Sequence, residues 1–122
     1  NTYFMTRAIE LLKNSFGVSQ LYQHDVIKDG NIIFSVYWHP LTIAERESIT
    51  KKSNTNDTND FALMLMIEKA LDKDGNKLFQ DGDKASLRRE VEANILQEIQ
   101  LAMIEAGQTK GVVEAKAELK SE

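Results

Sequence analysis

The side chains best spaced for chemistry lie in one polar break, Asp72-Lys73-Asp74-Gly75-Asn76-Lys77-Leu78-Phe79-Gln80-Asp81-Gly82-Asp83. Asp72, Asp74 and Asn76 alternate and Asp83 closes the span, which echoes the oxygen-ligand spacing of an EF-hand calcium loop. Two residues weigh against calcium. Lys77 stands at the sixth position, where the sharp turn needs glycine, and it brings a cation to the site. Asp83 stands where a longer, bidentate Glu is required. A solvated turn, with Asp and Gly serving backbone geometry, suits these residues better.

The remaining candidates are weaker. His24 and His39 are far apart in sequence, and neither cysteine nor an H-x-x-x-H spacing accompanies them, so no zinc site is expected. G-x-S-x-G, P-loop and G-x-G-x-x-G motifs are absent. Glu45 and Glu47 fit helix capping and a solvated first turn better than acid–base work. Tyr37 and Trp38 can stack on a base or sugar, but a buried strand end accounts for them more simply. The residues therefore imply no cofactor, no metal and no enzyme.

The chain has 122 residues, no cysteine and a formal charge of −4. That length fits one domain that buries roughly two-thirds of its unfolded surface. The lack of cysteine excludes disulfides and thiolate chemistry. The acidic balance argues against a nucleic-acid partner, which wants a basic face. No signal peptide or membrane span is visible, so no membrane role is expected. The sequence opens on Asn1, leaving the true start open, with Met5 a candidate internal start.

The elements that must position these residues form an expected α+β domain over 1–106, mainly α-helical, with one antiparallel hairpin packed on a helical bundle. Phe4, Ala8, Leu11 and Leu12 share one side of a helical wheel, predicting a helix over about 3–15 that docks on the core and stops at Gly17. Its alternative is a mobile arm that swaps onto a neighbour. Residues 21–38 read as a hairpin about Asp29-Gly30, a pair that tolerates positive φ. Ile32, Phe34, Val36 and Trp38 alternate onto one buried face. Pro40 ends the strand, Thr42 and Glu45 form a capping box, and a helix over 43–51 follows. Ser53 to Asn59 is a polar loop.

Phe61-Ala62-Leu63-Met64-Leu65-Met66-Ile67 is apolar without relief, and its Leu, Met and Ala favour a helix over 60–71. A helix apolar all round must be covered all round, by its own domain or by a partner. Leu87, Val91, Ile95, Ile99 and Met103 recur every four residues and predict one helix over 84–106, capped by Asp83. Leu78 and Phe79 should tuck under both helices. Beyond Gly107 the like-charged pairs Glu114/Glu118 and Lys116/Lys120 predict a flexible tail, 107–122. Met64, Met66 and Met103 suit gap-filling in a core, and the alternative, from the unrelieved apolar area and the adaptability of methionine, makes Phe61, Met64, Met66, Ile67, Leu78, Phe79 and Met103 the expected partner-binding residues.

In this order, the pieces resemble tail assembly chaperones of long-tailed, lambda-like phages. The resemblance lies in the strand leading into Trp38-His39-Pro40-Leu41-Thr42-Ile43-Ala44-Glu45-Arg46-Glu47, in the apolar helix Ala62 to Ile67, and in the acidic turn Leu71 to Phe79, covering about residues 21–105. The family often has Arg at the position of His39, and its acidic turn is one residue shorter. The resemblance implies a non-enzymatic protein of the host cytoplasm during assembly, absent from the mature virion. Such a protein binds the tape measure protein, keeps it soluble, helps tail-tube protein subunits assemble around it, and self-associates. The competing expectations are a head–tail connector or tail subunit retained in the virion, and an EF-hand-like calcium regulator.

Overall fold

A computed structural model of the chain describes the backbone of residues 7–54 and 57–120, and side-chain surroundings up to residue 106. The architecture is α+β and mainly helical, with one antiparallel hairpin. In chain order the elements are α1 (Ala8–Phe16), β1 (Tyr22–Lys28), β2 (Asn31–Trp38), α2 (Ile43–Lys52), α3 (Thr58–Lys69), α4 (Lys84–Glu90) and α5 (Ala93–Lys120), with a 3₁₀ turn over Asp81–Asp83 leading into α4.

α3 is the centre. Leu63, Met64, Leu65, Met66 and Ile67 are all buried, so nearly the whole apolar run is enclosed by the chain itself. α2 and α5 pack against it, and α4 covers its start. Asp57 caps α3 by accepting the N–H of Asn59 at 2.9 Å. At the other end, Ala70 and Leu71 leave the helix because Leu71 is drawn into the sheet. Its N–H donates to the Tyr37 carbonyl at 2.7 Å, and its carbonyl accepts from the Tyr37 N–H at 2.9 Å. Leu78 N–H then donates to the Ala70 carbonyl at 3.0 Å, which brings Leu78 and Phe79 half-buried against the core.

The hairpin turns on Asp29 and Gly30, with φ of 54° and 79°. Two successive positive φ values match the right-handed twist of the strands. The pairing runs Tyr22 with Trp38, His24 with Val36 and Val26 with Phe34. It then shifts, so that Ile27 opposes Ile32 and Ile33 is the extra residue of a β-bulge. The expected single buried face therefore holds only at the base. Val36 and Trp38 are buried, whereas Ile27, Ile32 and Ile33 at the tip are exposed. The capping box of α2 forms as its sequence requires: Glu45 N–H donates to Thr42 Oγ1 and Thr42 N–H to Glu45 Oε1.

Three expectations need correction. First, residues 84–106 are not one helix, because Val91 is extended (φ −122°, ψ 139°) between α4 and α5. A spacing of four drifts by about 40° per step around a helix of 3.6 residues per turn. A single straight helix would carry Leu87 and Met103 to different sides; the break lets both be buried while Val91 faces solvent. Asp83 does not cap α4 either, since its carboxylate turns back to accept the Gln80 N–H at 2.8 Å. Second, α1 has no buried residue, so it does not dock. Tyr3 and Phe4 of the expected 3–15 helix lie outside the described residues. Gly17, which ends α1, has no room for a Cβ, which would collide with the Lys13 carbonyl. Third, the α5 backbone continues past Gly107 to Lys120. Ala, Leu, Glu and Lys in that stretch are strong helix formers that offset two glycines at about 1 kcal/mol each.

Met66 has 0% exposure, and Met66→Ala should lower the unfolding free energy by about 2–5 kcal/mol in urea titration. Ile43 is 77% exposed, and Ile43→Ala should change stability by less than about 0.5 kcal/mol.

Candidate functional site

The titratable groups are held for structure. Asp60, at the start of α3, is 5% exposed and accepts Lys84 Nζ at 2.9 Å, Arg88 at 3.4 Å and the Asn54 N–H at 2.8 Å. The Lys84 bond, then the Asn54 N–H, hold its carboxyl below the ordinary value against the opposing effect of burial. This cluster ties α4 to α3. Partial burial pushes the Glu45 carboxyl up, but bonds from Lys69 (2.6 Å) and Thr42 outweigh it and leave it lowered. The Lys69 bond joins α2 to α3.

The polar break has the same character. Asp72 Oδ1 accepts the N–H groups of Asn76 at 2.9 Å and Asp74 at 2.8 Å, and these bonds, the Asn76 bond foremost, lower its carboxyl. Its oxygens fold the turn on itself. Among the described residues no three His, Cys, Asp or Glu side chains converge as a metal site, and none of the helices is long and apolar enough to cross a membrane. His24 and His39 are not brought together: His24 Nε2 lies 2.9 Å from Glu98 on α5, and His39 Nδ1 lies 2.8 Å from the Gln20 carbonyl.

The partner-binding expectation is redistributed by the fold. Met64, Met66 and Ile67 are core residues, with 9%, 0% and 0% exposure, and offer no surface on the folded chain. Leu78 and Phe79 pack half-buried against that core. Phe61 and Met103 both line an open groove of about 520 Å³. Four further segments complete it, with Phe16 at the end of α1, Tyr22 on β1, Trp38, Pro40 and Leu41 at the strand end, and Arg46 and Thr50 on α2; Ile104 and Ala106 of α5 and Leu65 of α3 also line it. The Tyr22 and Trp38 rings stack at a tilt, 5.9 Å between centroids. Trp38 Nε1 is buried without a hydrogen-bond partner among the described residues, a costly state for a donor. The groove is apolar, framed by rigid elements, and free of catalytic constellations among the described residues.

Sequence spacing missed Tyr22, Phe16 and Ile104 as lining residues, because they lie on three different elements and only the tertiary fold joins them. Compared with family models, with curated proteins and with solved structures, the chain matches none.

Below about pH 4 the Asp60 cluster should weaken. A carboxyl held below its ordinary 3.8 stabilises the fold fully above that value and ceases to do so as pH falls through the folded value. Thermal melts of the wild type should therefore fall more steeply on acidification than those of Asp60→Asn, which should be less stable at neutral pH. Millimolar calcium should leave the wild-type Tm unchanged, because the Asp72 oxygens are engaged by backbone N–H groups.

Proposed function

We propose that the protein is a non-enzymatic assembly chaperone that binds an apolar helical client in the groove between α2, α3, α5 and the hairpin base. The observation that carries this reading is the groove itself, an open concavity of about 520 Å³ walled by Phe61, Trp38, Tyr22, Leu41, Met103 and Ile104. Its size and lining suit the apolar stripe of an amphipathic helix, in the helix-in-groove mode of recognition. Large contiguous apolar patches in water mark interaction sites, whereas singly exposed apolar side chains are ordinary. Here Leu101, Ile104 and Val91 are exposed on the helical body, and Ile27, Ile32 and Ile33 at the hairpin tip.

The order of motifs from Trp38 to Phe79, which resembles the tail assembly chaperones of long-tailed phages, directs the client's identity. On that resemblance the client is the tape measure protein, with tail-tube protein subunits assembling around it. The chaperone acts in the host cytoplasm and leaves before the virion is complete. An adaptable lining that includes Met103 suits a client that must later be released.

The test uses Trp38, the sole tryptophan, as a reporter in the groove wall. Titration with a helical peptide from the tape measure protein of the same phage should shift Trp38 emission and saturate. Ile104, 46% exposed, can be changed without opening the core. Ile104→Glu should weaken peptide binding at least tenfold and abolish co-purification with the tape measure protein. Unaltered binding by a folded Ile104→Glu protein would exclude the groove.

A further inference from the structure

We propose that the groove selects helices that carry a carboxylate beside their apolar stripe, and that Arg46 of α2 is the residue that reads it. The inference deepens the client reading above and rests on it. To a surface chosen there for its apolar lining it adds a charge requirement.

Four side chains of the groove lining carry a polar group: Tyr22, Trp38, Arg46 and Thr50. Three of them have nothing to offer a docked helix. The Tyr22 hydroxyl donates to Gln20 Oε1 at 2.8 Å. The Thr50 hydroxyl donates to the Arg46 carbonyl at 2.8 Å, one turn back along α2. Trp38 Nε1 is buried, out of a partner's reach. The Arg46 guanidinium remains. It is exposed, and it makes no ion pair and donates no hydrogen bond among the described residues. Its neighbours on α2 differ, because Glu45 is tied to Lys69 and Lys52 to Glu68 of α3.

The position of Arg46 fits a reading role. Phe61 and Leu65 of α3 and Met103 and Ile104 of α5 supply the apolar lining, and Arg46 enters from α2. A helix laid in the groove turns its apolar stripe to α3 and α5, and the residue flanking that stripe on the α2 side meets Arg46. A guanidinium presents a planar fork of donors that fits a carboxylate through two bonds at once. The same contact works as a filter. Docking covers the cation, and a helix that offers it only apolar surface or another cation leaves it desolvated and unpaired. The charge of the whole chain makes the effect separable. At −4 the chain attracts basic helices over distance, so a preference for an acidic helix must come from a cation at the contact.

The experiment titrates the full chain with three synthetic amphipathic helices. They share a leucine stripe and differ only in the residue along both of its edges, which is Glu, Gln or Lys. Trp38 emission reports binding. The wild type should bind the Glu helix about fivefold more tightly than the Gln helix, the upper range for an exposed ion pair, and the Lys helix most weakly. Arg46→Gln breaks no ion pair among the described residues, so it should keep the wild-type Tm and bind the Glu helix no more tightly than the Gln helix. Arg46→Glu should bind the Lys helix most tightly. Equal binding of all three by the wild type, or a Glu preference that survives in Arg46→Gln, would overturn the inference. Ile104→Glu separates it from the client reading. If the wild type binds all three alike and Ile104→Glu binds none, the groove takes helices and Arg46 does not choose among them. If Ile104→Glu binds as the wild type does, the client reading falls and this inference falls with it.

Discussion

A helix that is apolar around its whole circumference cannot face water on any side, and α3 imposes that constraint on the rest of the chain. Each neighbouring element is placed where it covers a different side. α2 lies along it and is fastened through Lys69–Glu45 and Lys52–Glu68. α5 brings Ile99 and Met103 against it, and α4 brings Leu87. The hairpin is drawn in through Leu71, which leaves the helix to make two hydrogen bonds with Tyr37. Asp60, the one buried charge among the described residues, lies at the start of α3 and is neutralised by Lys84 and Arg88 of α4.

Covering α3 uses the apolar faces of α2, α4 and α5 and the base of the hairpin, and little else. The tip of the hairpin, with three isoleucines about the bulge, projects past the body. α1 buries none of its residues and reaches the groove only with Phe16. Where the covering elements meet, they leave the groove beside Trp38. The surplus apolar area is real, but it sits at the margins of the covering elements rather than on the helix that required them. A binding protein built this way keeps a sealed centre for stability and presents rigid edges to its partners.

The features legible in the sequence were those set by local rules. Asp29-Gly30 demands its turn, Thr42 and Glu45 reciprocate as a capping box, and the run from Phe61 to Ile67 can only be a helix that is covered. What could not be read depended on how elements meet. A four-residue spacing looks like one continuous stripe until the drift of about 40° per step is counted, and the extended Val91 resolves that drift. The bulge at Ile33 leaves no trace in an alternating apolar strand, because isoleucine suits both sides of it. Met64, Met66 and Ile67 lie in the core for a related reason: an unrelieved apolar run signals burial, and says nothing of whose atoms provide it.

The central claim is that this chain alone encloses α3. Native-state hydrogen exchange on dilute protein without client measures that directly, since amides in a sealed centre open only with global unfolding. Residues Leu63 to Ile67 should be the slowest to exchange, with free energies equal to the global value from denaturant titration, while α1 exchanges fastest. Fast exchange across α3 that slows only when a partner is added would show that the helix is covered by another molecule, and would contradict the claim.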